Sequence, residues 1–260
     1  MMNGIFDPIV FRSVEYIMVA LAAVVFIALR YINPGYGMFY NPKWGPAIGN
    51  RTGWFIMEAP VIVCVLAIWL TSPRRGELTL AVMTAPILIH YFQRTFIFPM
   101  LIKGKNKIPL AIMLMGMLFN MVNAYLIAGW LFYVSPADRY PDTWLADPRF
   151  IAGMLVFAAG MAINIHSDHI IRHLRKPGDR RHYIPRGGMF RYVSSANYLG
   201  EVTEWVGFAI LTWSLPGVIF ALWTFANLGP RARSTYRRYE AEFGEEFTSL
   251  NRKYIIPFIW

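Results

Sequence analysis

Glu58 stands in the run WFIMEAP (54–60), one turn inside an apolar stretch and with no basic residue close by in sequence. A charged carboxyl in hydrocarbon is costly, so such a residue is a functional candidate by default and is expected in its uncharged form. In HYFQRTF (90–96), Tyr91 and Arg94 lie three apart and share one helix face, as do His90 and Gln93. That combination points to a polar cavity inside an apolar span. An uncharged carboxylic acid and a phenol both donate hydrogen bonds. Glu58 and Tyr91 together suit a ketone or other carbonyl oxygen on which negative charge develops.

The richest polar segment is NIHSDHIIRHLRKPG (164–178). Asn164, Asp168, Arg172 and Arg175 recur at steps of four, four and three, on one helix face. His166, His169 and His173 occupy another face at a spacing that resembles a metal site. Five histidines in the whole chain are too few for a membrane di-iron centre, and the single Cys64 excludes a cysteine cluster and a disulfide framework. No metal is expected. Positions 172–191 carry seven basic residues, and a second group follows at Arg231, Arg233, Arg237 and Arg238. Charge alone would serve lipid headgroups. Here it is mixed with Asn164, Asp168, His182, Tyr183, Asn197 and Tyr239, whose hydrogen bonds are directional, which favours an anionic ligand held between loop and tail. No G-x-G-x-x-G or P-loop is present, and Gly187-Gly188 marks a turn, so any dinucleotide sits outside a Rossmann unit. Asn120 and Asn123 read as hydrogen-bonding glue between helices. Glu201 and Glu204, next to the basic loop, read as carboxylates that order its cations.

These residues need apolar elements to hold them. Of 260 residues, 56% are hydrophobic and only 15% charged, against about 25% charged in a soluble domain. Nucleic-acid binding, disorder and repeat classes are set aside; this is an all-α integral membrane protein. Spans of about 20 apolar residues fall at 11–32, 54–70, 78–98, 108–134 and 150–165. The stretch 198–228 is broken at Ser214–Gly217 (SLPG) into two more. Seven spans with the N-terminus outside put eighteen basic residues on the cytoplasmic side and five opposite, so the C-terminus is cytoplasmic. The first span is long and lacks a basic leader, so no cleaved signal is expected. The chain forms one domain, 1–260. Helices 1–4 (1–134) carry the carbonyl site, and helices 5–7 with loop and tail (150–260) carry the ligand site.

The stretch from GMAINIHSDHIIRHLRKPGD through YIPRGGMFRYVSSANYLGEVTEWVGFAILTWSLP (160–216), with LNRKYIIPFIW at the end, closely resembles the steroid 5α-reductase family, the 3-oxo-5α-steroid 4-dehydrogenases. WFIMEAP and HYFQRTFIF match that family's N-terminal motifs, so the resemblance runs through nearly the whole chain. It implies a seven-helix membrane enzyme that uses NADPH to reduce the Δ4 double bond of a 3-oxo steroid. The resemblance assigns the 3-keto oxygen to Glu58 and Tyr91. It assigns the cofactor to Asn164, Asp168, Arg172, Arg175, Asn197, Glu201, Arg231 and Tyr239, with Arg94, Lys103 and Lys105 added; His182 and Tyr183 join them as expected cofactor residues on the hydrogen-bonding company of the basic loop. Trp54, Met57 and Phe119 are expected to line the steroid pocket. Three positions depart from familiar members: Met57 replaces a glutamine common in eukaryotic ones, Tyr183 an arginine, and Ile102 an asparagine.

Hydride is then expected at C5 on the α face, charge at the 3-oxygen and a proton from solvent at C4. Arginine abundance favours NADPH over NADH. Alternatives are a trans-2-enoyl thioester or polyprenol reductase on the same fold, a membrane methyltransferase, and a non-enzymatic sterol- or lipid-binding protein. The expected partners are steroid and membrane lipid, with no obligate protein partner. The expected location is a bacterial inner membrane rather than the endoplasmic reticulum.

Overall fold

A computed structural model describes residues 4–104, 106–175, 179 and 181–260. Among them, seven long helices dominate: α1 (Pro8–Ala28), α2 (Asn50–Thr71), α3 (Leu78–Phe92), α4 (Leu110–Gly129), α5 (Pro148–His173), α6 (Ala196–Thr212) and α7 (Leu215–Phe243). Their starts follow local chemistry. Asp7 and Asp147 each accept hydrogen bonds from the first free backbone N–H groups, ahead of Pro8 and Pro148. Ser214 caps α7 ahead of Pro216, and α6 stops at Trp213 in the left-handed conformation (φ 45°), so the break lies at SLPG.

Among the described residues, four helices are long and apolar enough to cross a membrane: Pro8–Ala28, Asn50–Thr71, Leu110–Val134 and Pro148–His173. Two of the expected spans run further than their apolar runs. Helix α5 continues past 165 to His173, and α7 continues past 228 to Phe243. At about 1.5 Å per residue a helix of 29 residues is about 43 Å long, which exceeds a hydrocarbon core of roughly 30 Å. The second basic cluster is therefore the end of a helix rather than a loose tail.

Helix α3 does not end at Phe92. A π-helical turn, Gln93–Ile97, and one α-turn, Phe98–Leu101, carry it on. The extra residue in such a turn rotates the rest of the helix about its axis, so Arg94 leaves the simple 3.6-residue register.

The connections gather at two ends of the bundle. At one end Arg74 reaches the Leu131 and Ser135 carbonyls, and Tyr140 donates to the Thr212 carbonyl. At the other, β1 (Ala47–Gly49) pairs antiparallel with β2 (Lys107–Pro109), so α2 and α4 start side by side. There too Ser194 and Ser195 donate backbone N–H groups to Lys253 and Tyr254 carbonyls. The C-terminal segment thus straps the basic loop. Residues 4–104 and 106–175 supply the first five helices to one apolar core, in which Trp205, Phe208 and Phe220 of α6 and α7 also lie.

The tightest seam joins α5 to α6. A Cβ placed on Gly160 would lie 2.3 Å from the Glu204 backbone nitrogen, and one on Gly200 would lie 2.4 Å from that of Asn164. Gly153 and Gly207 repeat this contact one heptad away. Small residues allow such backbone approach inside membranes. The seam also sets Asn164, Asp168, Asn197 and Glu204 against one another.

Candidate active site

Glu58 of α2, Tyr91 of α3 and Asn120 of α4 converge in the interior, all buried. Asn120 donates through Nδ2 to Glu58 Oε2 (3.0 Å) and to the Met57 carbonyl (2.9 Å), while the Tyr91 hydroxyl donates to Asn120 Oδ1 (3.2 Å). Asn120 does bridge helices, as read from the sequence, but the groups it bridges are the expected acid and phenol. Its bond to Glu58 Oε2 leaves Oε1 without a contact from Asn120. The 3.2 Å phenol contact is long for an O–H···O bond, so a stronger acceptor can take that proton. Replacing Asn120 with leucine leaves acid and phenol buried without their bridge, a loss of about 1–3 kcal/mol. The expected result is at least a tenfold fall in kcat with the protein still folded, read by turnover kinetics alongside thermal unfolding in detergent.

Arg94 is the hub beside this cluster. Its guanidinium lies 4.7 Å from the Trp54 ring centre and 4.3 Å from that of Phe98, and 3.5 Å from Asp168. Among the described residues Asp168 is its ion-pair partner. Stacking of this kind contributes up to about 2 kcal/mol where water is excluded. Asn197 donates to Asp168 Oδ1 (3.3 Å), and Asn164 donates to the Asn197 carbonyl (2.9 Å). The Glu58–Asn120–Tyr91 cluster and the polar helix face are therefore neighbours, with Arg94 between them.

Several expected residues have other neighbours. Trp54 supports Arg94, Met57 packs over Gly116, and Phe119 packs on Phe220 (6.1 Å) and Trp223 (4.8 Å). Glu204 does not order the basic loop: it is fully buried and bonded to His90 Nδ1 at 2.7 Å, because the glycine seam turns it inward towards α3. His90 in turn packs against Tyr91 and Trp205, which fixes the wall behind the phenol. Glu201 is half-buried. Among the three histidines, His173 Nδ1 lies 2.7 Å from its own helix's His169 carbonyl.

At the loop-and-tail end, Arg231 donates to the Tyr198 hydroxyl (2.8 Å) and stacks 3.8 Å over Tyr36. His182 Nδ1 lies 2.8 Å from the Glu242 carboxylate. Tyr183 donates to Asp179, and with Arg181 it holds that carboxyl below the usual range. Tyr239 packs with Ile184 and Phe247, and burial pushes its phenol up to about 12, so it stays a donor. Arg172 is half-buried, Arg175 and Lys103 are exposed, and Lys105 lies outside the described residues. Asp168 Oδ2, Ser167 Oγ and Arg231 Nη1 are buried without a hydrogen-bond partner among the described residues. Sequence reasoning missed Asn120 as a site residue and the His90–Glu204 pair. Spacing along one helix carries no signal for a partner on another.

Fold and site together define a multi-pass helical membrane protein with a buried acid–amide–phenol cluster beside a cation-lined end. A family model described as 3-oxo-5-alpha-steroid 4-dehydrogenase matches residues 106–260. Over 242 residues, 92% of each chain, the sequence is 43% identical to 3-oxo-5-alpha-steroid 4-dehydrogenase 1 of Mus musculus. Identity to the Homo sapiens protein of the same name is 38% over 260 residues, 99% of this chain and 98% of the relative. Identity to the steroid 5-alpha-reductase of Arabidopsis thaliana is 36% over 265 residues and the whole of both chains. The chain belongs to the 3-oxo-5-alpha-steroid 4-dehydrogenase family. These relatives are animal and plant proteins and lend no support to the bacterial inner membrane expected from the sequence.

Proposed function

We propose that the protein reduces the Δ4 double bond of 3-oxo-Δ4 steroids to 5α-3-oxo steroids with NADPH, from within a membrane that its seven long helices span. The observation that carries this reading is the Glu58–Asn120–Tyr91 cluster. It sets two hydrogen-bond donors from different helices at one dry place, where a steroid's 3-keto oxygen can accept both. As the double bond is reduced at C5, negative charge moves to the 3-oxygen. Glu58 and Tyr91 stabilise that enolate with donors already in position, so little reorganisation is needed. C4 then takes a proton from solvent.

The residues at the cytoplasmic end fit a reduced dinucleotide. Arg231 Nη1 has an unused N–H for a phosphate oxygen, and Asp168 Oδ2 has an unused lone pair for an amide or ribose donor. NADPH supplies the hydride when bound. Arg94, Lys103, Lys105, Asn164, Asp168, Arg172, Arg175, His182, Tyr183, Asn197, Glu201, Arg231 and Tyr239 are the groups proposed to hold it. Trp54, Met57 and Phe119 are proposed to shape the steroid side. In this reading helices α1–α4 hold the carbonyl, while α5–α7 with loop and tail hold the cofactor. The N-terminus faces away from the cytoplasm.

The test is cofactor oxidation at 340 nm by the purified protein in lipid, with progesterone, testosterone and an enoyl-CoA offered separately. The expected result is oxidation of NADPH with the two steroids and a clear preference over NADH, since guanidinium forks match a 2′-phosphate. Reduction of the enoyl-CoA in preference to both steroids would overturn the proposal, as would equal use of NADH its cofactor part.

A further inference from the structure

At the outer face of the loop-and-tail end, the structure forms a cleft of about 440 Å³ lined by Phe26, Arg30, Phe225, Arg233, Tyr254 and Trp260. It lies where α1 ends against the middle of α7, away from the catalytic cluster. Its walls are aromatic: Phe26 and Phe225 stack at 6.1 Å, Phe225 and Trp260 meet at 5.7 Å, and Tyr254 and Trp260 at 5.5 Å. The two arginines come from different helices, and neither has an ion-pair partner among the described residues. Arg30 reaches back over the Phe26 ring, 6.0 Å from its centre. Arg233 lies two residues after Arg231, about 200° around α7, so it faces away from Tyr36 and Tyr198, where Arg231 is engaged.

An apolar strip leads out of the cleft. Val19 and Ala23 on α1, on the same face as Phe26 and Arg30, and Val218 and Leu222 on α7, on the same face as Phe225, are all exposed, and the helices are tied together where Trp223 donates to the Met18 carbonyl. We propose that this cleft binds one anionic phospholipid. The phosphate would lie between Arg30 and Arg233, the glycerol level against the Trp260 and Tyr254 rings, and an acyl chain along the α1–α7 seam. Charge complementarity names the ligand: two unpaired guanidiniums at the end of apolar helices attract a headgroup with net negative charge, and a zwitterionic headgroup gains little there. Aromatic rings with one polar edge suit the same depth. A soluble anion would use the two arginines and leave the apolar strip uncovered, which is why a lipid is the occupant.

The full-length protein is reconstituted in equal parts phosphatidylglycerol and phosphatidylcholine, released in mild detergent and weighed intact by native mass spectrometry. The expected result is one retained phosphatidylglycerol. Retention should fall about tenfold in Arg30→Gln/Arg233→Gln and persist in Arg30→Lys/Arg233→Lys. An unchanged thermal unfolding temperature in detergent reports that the variants are intact. Equal retention of phosphatidylcholine, or unchanged retention in the glutamine variant, would overturn the proposal. Displacement of the lipid by millimolar inorganic phosphate would show an anion site rather than a lipid site, and displacement by NADPH would show an arm of the cofactor site. Either result overturns it as well.

Discussion

Replacing Glu58 with glutamine is expected to lower kcat for Δ4-3-oxo steroid reduction by about 10²–10³, the usual cost of weakening one donor to a developing oxyanion. Glutamine fills the same volume and its amide oxygen can still accept from Asn120, so the fold is expected to survive. The change is in acidity. An amide N–H stabilises an enolate less than a carboxylic acid does, while the neutral ketone feels the difference weakly. The loss should therefore fall on kcat, with KM for the steroid moving little. Tyr91→Phe removes the second donor and should give a loss of the same order. Because Asn120 links the two groups, the double variant should lose less than the product of the single effects. Steady-state kinetics of the four proteins, with thermal unfolding as control, measure this. Near wild-type kcat in both single variants would remove the assignment of acid and phenol.

The second large effect concerns the fold. Gly160→Leu is expected to cost about 3 kcal/mol or more and to leave little folded protein. The reason is geometric: the first added carbon already meets the Glu204 backbone nitrogen at 2.3 Å, and backbone cannot swing aside as a flexible side chain does. Separating α5 from α6 also pulls Glu204 from His90 and Asn164 from Asn197, so remaining activity should fall in step with stability. Gly76, with open space around it, is the control, and Gly76→Ala should leave the unfolding temperature unchanged. A folded, fully active Gly160→Leu protein would mean that the two backbones do not approach so closely.

Much of the design is written in one dimension. Apolar runs, the SLPG break and the scarcity of charge are properties of consecutive residues, and in a bilayer the backbone has to satisfy its hydrogen bonds within each segment, so helices were legible from composition and length. The acid in WFIMEAP, the phenol in HYFQRTF and the polar face 164–175 stood out because a polar group in an apolar stretch needs a reason. One dimension cannot carry which face meets which. Asn120 reads as glue in one dimension, whereas α2 and α3 on either side of it make it the bridge between acid and phenol. Glu204 looked like a neighbour of the basic loop because it is near it in sequence, yet a glycine seam turns it to His90, 114 residues away. The π-turn at Gln93–Ile97, which brings Arg94 between two aromatic rings, is set by packing rather than by local preference. Helix identity follows from local energetics. The site depends on close approach between segments distant in the chain, and only the packed structure decides that.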